Sequence, residues 1–200
     1  MKKVYLRIII LSFFTLSIVA VLADQDHHVS TGHKSEGSIR SAPGENPWNE
    51  GQAPDDWWGA IKRMHGHVGP WNVLGWRIGQ AALREFNTKW GRHDLDIICY
   101  IPMETPYSCM ADGLVLGTGN SIGRLDICLA EVMSIDLIHV AIRCKDGTGP
   151  ILIFRPRAVY LKQIEKRTVH ELEELSKQCS TMKEGDLFQI ERIRSSKIKE

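Results

Sequence analysis

The sequence predicts an α+β fold: one core domain in which a mixed or antiparallel sheet packs against a long N-terminal helix and further helices. Some segments have apolar residues at helical spacing and others are apolar runs of strand length, and the two kinds do not alternate strictly. The 200 residues are 43% hydrophobic and 24% charged, which suffices for one well-buried core. The formal net charge of +1 gives no reason to expect nucleic acid as a partner.

Residues 1–23 have the pattern of a secretory signal peptide. Basic side chains at positions 2, 3 and 7 come before an almost continuous apolar run, and small or modest residues follow at the usual cleavage positions. The alternative is an uncleaved anchor that tethers the protein to a membrane, but the run is shorter than the ~20 residues of a spanning helix. We therefore expect an exported protein, periplasmic or extracellular, with no stable membrane span after cleavage.

Residues 24–54 are predicted to be a flexible linker. They are rich in His, Ser, Gly, Pro, Glu and Asn and contain almost no aliphatic residues. Such a segment buries too little apolar surface to offset the entropy lost on ordering. Its histidines, His27, His28 and His33, are expected to be solvated rather than to hold a metal.

Two helices are predicted to begin the core domain, which we place at residues 55–165. An aspartate just before residue 57 can cap a short helix that reaches residue 64. Pro70 stands where a helix prefers its first residue, and apolar residues recur at helical spacing from there to about residue 90. Gly75 and Gly79 share one face of this second helix, which indicates close packing against another backbone element.

The later apolar runs are of strand length. Strands are predicted at 96–101, 125–132, 137–144 and 151–154, with a short helix of small residues at 108–117. Pro156 opens a long polar helix to about residue 183, and residues 186–193 are either one more strand or a loose tail. Residues 166–200 are accordingly expected to form a C-terminal helical extension and tail.

Two histidines one residue apart, His65 and His67, are the first half of a predicted metal site. Gly66 favours an irregular or extended backbone, in which residues two apart project to the same side. Cys109 is the best third ligand, because it follows a good N-cap residue and the first turn of a helix lowers a thiol pKa. Asp112 is either a fourth ligand or a partner that orients a histidine.

This set of donors predicts zinc, or another divalent transition metal, in an open site of the catalytic kind. The same residues also have a plainer interpretation. Paired histidines at a helix start are often solvent-facing, and Cys109 can be a small buried residue.

A glycine-rich turn at residues 117–124 is a second candidate site. Its backbone N–H groups can surround an anion, so Gly119, Asn120 and Arg124 are predicted ligand-binding residues. The alternative is that the glycines serve only the tight geometry of the turn.

Cys99, Cys128 and Cys144 each lie in or beside an apolar strand candidate. In an oxidising compartment two of them can form a disulfide, and the sequence does not give the pairing.

Several of these motifs resemble the FmdE domain family, which is named for formylmethanofuran dehydrogenase. Residues 65–70 (HGHVGP) and 74–79 (LGWRIG) are similar to its opening motif, and residues 108–113 (SCMADG) and 117–123 (GTGNSIG) are similar to its second block. The likeness covers roughly residues 55–165.

The sequence also departs from that family's usual pattern. Gly69 stands where the family usually has Cys, and Asn120 stands where it often has another. Many members carry a C-terminal zinc module of paired cysteines, whereas here only Cys179 lies beyond residue 144. Members in methanogens are linked to a cytoplasmic complex that handles one-carbon units, and an exported chain is not expected to keep that association.

Three functions remain open from the sequence. The first is an exported FmdE-like domain that binds a metal ion or a small ligand without turning it over. The second is an enzyme in which Cys109, with a histidine as base, acts on a small one-carbon or redox substrate. The third is an interaction protein whose C-terminal helix pairs with a partner, and a homodimer is compatible with either of the others.

Overall fold

The structure, a computed structural model, describes residues 51–164 and 169–194. In these residues helices pack against one five-stranded mixed sheet, so the predicted α+β class is confirmed. The predicted signal peptide and nearly all of the predicted linker lie outside the described residues. Within the described ranges, every helix is too short or too polar to cross a membrane.

Helix α1 (Trp57–His65) and helix α2 (Pro70–Glu85) begin the fold as predicted. The Asp56 side chain accepts a hydrogen bond from the Gly59 N–H (2.9 Å) and so caps α1. Helix α2 ends at residue 85 rather than near 90, because the chain takes a positive φ of 49° at Asn87.

Helix α3 (Cys109–Thr118) lies directly against α2 through glycines on both helices. A Cβ built on Gly75 would overlap the carbonyl oxygen of Met110, and one built on Gly113 would overlap that of Asn72. The backbone contact predicted from the glycines of α2 is therefore present. It holds the start of α3 beside the start of α2.

The sheet has the strand order β2-β1-β3-β4-β5, and only β1 and β2 are parallel. The strands are β1 (Leu95–Ile101), β2 (Ile127–Glu131), β3 (His139–Cys144), β4 (Pro150–Pro156) and β5 (Phe188–Arg194). Strand β2 begins two residues later than predicted, because Leu125 has a positive φ of 60°. Alternate residues of the central strands are buried and form one core with α2 and α3.

The region after β4 differs from the single long helix predicted for residues 156–183. Pro156 is the last residue of β4, and the helical parts are α4 (Ala158–Ile164), α5 (Val169–Thr181) and the short α6 (Glu184–Leu187). Strand β5 pairs antiparallel with β4, so the open choice between strand and tail is settled as a strand. The sheet thus continues past residue 165, where the sequence places the start of an extension.

Helix α5 is fixed to the N-terminal part of the core by polar contacts. Arg77 of α2 donates hydrogen bonds to the carbonyls of Cys179 (3.1 Å), Ser180 (2.8 Å) and Met182 (2.9 Å). These are carbonyls at a helix C-terminus, which have no partner within the helix. Tyr160 of α4 also donates a hydrogen bond to the carbonyl of Pro70 (3.0 Å).

Candidate functional site

The two predicted histidines are brought together, although by a different backbone from the extended one expected. His65 is the last residue of α1, and Gly66 has a left-handed conformation (φ 92°) that turns the chain. This bend places the rings of His65 and His67 with their centroids 4.7 Å apart. A glycine is needed at this bend because other residues rarely adopt this conformation.

Asp112 contacts the first of these rings. Its Oδ2 atom lies 2.7 Å from Nδ1 of His65, and the His65 side chain is only 15% exposed. A neutral ring that donates its Nδ1–H to this carboxylate has its free lone pair on Nε2. Of the two roles predicted for Asp112, the geometry matches the one that orients a histidine.

Within the described residues, the second ring nitrogen of His65, Nε2, lacks the hydrogen bond that a buried polar atom normally makes. Nε2 is buried and has no hydrogen-bond partner within the described part of the chain. Leaving such a group unsatisfied costs about 1–3 kcal/mol, so a buried polar atom of this kind calls for an explanation.

His67 is exposed and lies on the solvent side of the pair. Burial of part of its ring and the neighbouring His65 lower its pKa from the ordinary value. The lowered pKa favours the neutral ring, which is the form that binds a metal.

Cys109 does not have the properties predicted for it. Burial and the nearby Asp112 carboxylate raise its pKa, so the prediction of a lowered thiol pKa is wrong. The side chain of Ser108 makes no capping hydrogen bond either. The thiol lies within the core cluster rather than at a helix end open to solvent.

The four predicted ligands do not surround one point. Within residues 51–164 and 169–194, no group of three or more His, Cys, Asp or Glu side chains is arranged to hold a metal. The structure brings together His65, His67 and the supporting Asp112, and it leaves Cys109 in the core.

Asn72 is a buried residue of the site that the sequence prediction missed. Its Oδ1 accepts a hydrogen bond from the Gly69 N–H (2.9 Å), and its Nδ2 donates one to the Cys109 carbonyl (3.0 Å). Asn72 thus joins the start of α2 to the start of α3. The available signal was an amide side chain three residues after the N-cap, the spacing of a reciprocal capping interaction.

The glycine-rich turn contacts an anionic group of the protein itself, the carboxylate of Asp126. Ser121 N–H donates to Oδ2 of Asp126 (3.1 Å), and Arg124 lies 3.7 Å from the same oxygen. Gly119 ends α3 with a positive φ of 71°, and the Asn120 side chain donates to the carbonyl of Leu95 (2.9 Å). The predicted ligand-binding residues are therefore engaged with the protein itself.

Asp126 was also missed by the sequence prediction. Its side chain is fully buried, and besides the turn it contacts Nδ1 of His93 (2.7 Å) and the ammonium group of Lys145. A buried carboxylate needs such partners because its desolvation is costly. The cluster ties the turn to the starts of β1 and β2 and to the residue after β3.

All five cysteines are free thiols in the structure. The pairing of β1 with β2 sets Ile98 opposite Cys128 and Cys99 opposite Leu129, so the two cysteines point to opposite faces of the sheet. Burial raises the pKa of Cys99 to about 12. The disulfide considered from the sequence is thus not formed.

Comparison with known proteins identifies the family. A search of curated proteins finds no match to the chain. One family profile, described as "FmdE, Molybdenum formylmethanofuran dehydrogenase operon", matches residues 64–189. The matched range contains the paired histidines, both packed helices and the sheet up to the start of β5. The resemblance seen in the sequence is confirmed, and the chain belongs to the FmdE family.

Proposed function

We propose that this FmdE domain binds a divalent transition metal ion through His65 and His67. The observation that carries the proposal is the buried Nε2 of His65, which has no partner in the described residues. Its Nδ1 is held by Asp112 at 2.7 Å. Metal-binding histidines typically donate their other ring N–H to a carboxylate in this way.

The donor chemistry fits such an ion. Imidazole nitrogen suits zinc, copper, iron and nickel. The lowered pKa of His67 favours the neutral ring that a metal requires. Two protein ligands leave further coordination positions to small molecules, which is the arrangement of an open site rather than a closed structural one.

The enzyme alternative receives less support. It needs a thiolate at Cys109, because the thiolate is the nucleophile. Burial and Asp112 raise the pKa of this thiol, which disfavours that form. We therefore place metal binding ahead of thiol-dependent catalysis.

Metal titration of the purified protein tests the proposal. The reference chain carries His27→Ala, His28→Ala and His33→Ala, since these histidines would also bind metal weakly. Zinc is added in a calorimeter, and bound metal is then counted by mass spectrometry after gel filtration. We expect about one ion per chain, as for a single site formed by the two imidazoles.

His67→Ala is expected to lose the ion and remain folded, because His67 is exposed. The matched control is His139→Ala, which removes an imidazole that stacks on Tyr100 instead (ring centroids 4.2 Å apart). A reference chain that takes up no metal, or a His67→Ala variant that binds as tightly as the reference, would overturn the proposal.

A further inference from the structure

Strand β2 forms one edge of the sheet, and the backbone on its outer side is not paired with any other described strand. On its inner side, the Asp126 carbonyl accepts a hydrogen bond from the Ile97 N–H of β1 (2.9 Å). Backbone groups point to alternate sides along a strand, so those of Ile127, Leu129 and Glu131 face away from β1. These outward N–H and C=O groups can pair with a further strand.

The two edges of the sheet differ in their protection against such pairing. Charged side chains on an edge strand oppose its association with another chain. Strand β5, at the opposite edge, carries Glu191, Arg192 and Arg194. Strand β2 is uncharged from residue 127 to residue 130, and its one charged residue, Glu131, is its last. Pairing is therefore opposed less at β2 than at β5.

The apolar side chains around β2 are arranged as a second copy of the same chain would require. Leu129 is the central residue of the strand, and Leu125 and Met133 lie four residues to either side of it. Leu125 (78% exposed) and Met133 (89% exposed) are the two most exposed large apolar side chains of the described residues. An antiparallel copy with Leu129 opposite its own counterpart brings each Leu125 towards the Met133 of the other copy.

The charges near β2 favour the same antiparallel direction. Arg124 lies before the start of the strand and Glu131 is its last residue, and both are exposed. In an antiparallel pair the positive end of each strand lies near the negative end of the other. A parallel pair would instead bring like charges together, which is unfavourable.

We propose that two copies of this chain associate through β2, antiparallel and about a two-fold axis at Leu129, so that their sheets become continuous. The same surface of each copy then forms the interface, as in most homodimers. This register overlaps the strands along their whole length, so the outward backbone groups of Ile127, Leu129 and Glu131 can all pair. The proposal is independent of metal binding, and it assigns a surface to the homodimer that the sequence left open.

Leu129→Lys tests the centre of the interface. It places two like charges directly opposite each other, which opposes strand pairing. The control is Ile193→Lys on β5, where the replaced side chain has a similar exposure (45%, against 37% for Leu129). Sedimentation of the purified wild-type protein at up to about 1 mM is expected to show a dimer. Leu129→Lys should weaken dimerisation at least about tenfold, and Ile193→Lys should leave it unchanged.

A disulfide tests the register without a change at Leu129. Cys128 is exposed, and in this register it stands in a non-hydrogen-bonded pair with Ala130 of the other copy. The Cα atoms of such a pair are about 4.5 Å apart, which suits a disulfide. In a Cys144→Ser reference chain, Ala130→Cys is therefore expected to give a covalent dimer with oxidised glutathione. Glu191→Cys, on the other edge strand, should not.

Each contrary result overturns the proposal. A wild-type chain that stays monomeric throughout the concentration range does so, and so does a dimer that Leu129→Lys leaves equally stable. If Leu129→Lys does not fold, Ala130→Cys decides, since peptide mass spectrometry must then find the link between residues 128 and 130. A monomer whose Leu129 amide is protected from hydrogen exchange would assign the edge to another segment of the same chain instead.

Discussion

At the scale of single residues, the hydrogen bond between Asp112 and His65 determines which ring nitrogen of His65 carries the free lone pair. The bond involves Nδ1, so the lone pair of the neutral ring is on Nε2. The carboxylate also fixes the orientation of the ring. Both effects would come from a residue that need not touch a bound ion.

Asp112→Asn is therefore expected to weaken zinc binding by roughly 10- to 100-fold, because the carboxylate supports the ligand ring. The measurement is calorimetric titration with zinc. Asp136→Asn, at an exposed position in the short helical turn before β3, serves as the control and should bind as the wild type does. Unchanged zinc affinity in Asp112→Asn would contradict a role of the His65–Asp112 contact in metal binding.

The pKa of His67 gives a prediction about pH. Burial and His65 lower this pKa, so near the ordinary value the unfolded chain binds more protons at this residue than the folded chain. The contribution of His67 to stability is then fully present above the unfolded pKa and is lost as the pH falls through the folded pKa.

In an NMR titration without metal, His67 should titrate below the ordinary histidine value of 6.5. His65→Ala should move this pKa upward only part of the way, because burial is the larger cause. A His139→Ala chain should leave it unchanged. An ordinary pKa for His67 in the wild type would contradict the lowering expected from burial and from His65.

At the scale of secondary-structure elements, the glycine contact between α2 and α3 positions the site. It brings Asp112, in the first turn of α3, next to His65 at the end of α1. Gly113 follows Asp112 directly and packs on the backbone of Asn72. The contact between His65 and Asp112 thus depends on the close approach of α2 and α3.

Gly113→Ala is expected to destabilise the protein by roughly 1–3 kcal/mol or more, since the added methyl group overlaps the carbonyl of Asn72. The control is Gly185→Ala in α6, where nothing lies within contact distance of the new Cβ. There alanine should stabilise slightly because of its higher helix propensity. Urea unfolding measures both changes, and equal effects would refute the packing argument.

At the scale of the whole molecule, export is the property that the N-terminal sequence predicts. We propose that residues 1–23 direct secretion, so the metal would be acquired outside the cytoplasm. Expression of the full chain in a secreting bacterium, followed by fractionation and intact-mass measurement, is expected to give a periplasmic product that lacks these residues. A product that keeps them and sediments with membranes would favour the anchor instead.

Much of the fold could be predicted from the sequence because its signals are local. Apolar spacing, the proline at the start of α2 and the glycines on its face depend on neighbouring residues. The end of α5 at Thr181 and the pairing of β5 with β4 depend on distant contacts. One example is Arg77, which caps α5 from α2 and gives no local signal.

The candidate site could be predicted in part for the same reason. The paired histidines are a local motif, whereas their contact with Asp112 depends on the packing of α3 against α2. The sequence left open whether Cys109 is a ligand or a small buried residue, because its helix position favours a lower thiol pKa whereas tertiary packing raises that pKa. Asn72 and Asp126 were missed because their roles depend on hydrogen-bond and ion-pair partners from other parts of the fold.

The Asp126 carboxylate has a consequence for what the turn at residues 117–124 can recognise. It acts as a tethered competitor: its covalent attachment gives it a high effective concentration at the N–H of Ser121. A free phosphate or sulfate would have to displace it, which would leave Lys145 without its counter-charge and His93 without its hydrogen-bond partner. The Asp126 carboxylate therefore disfavours the binding of dissolved anions at this turn.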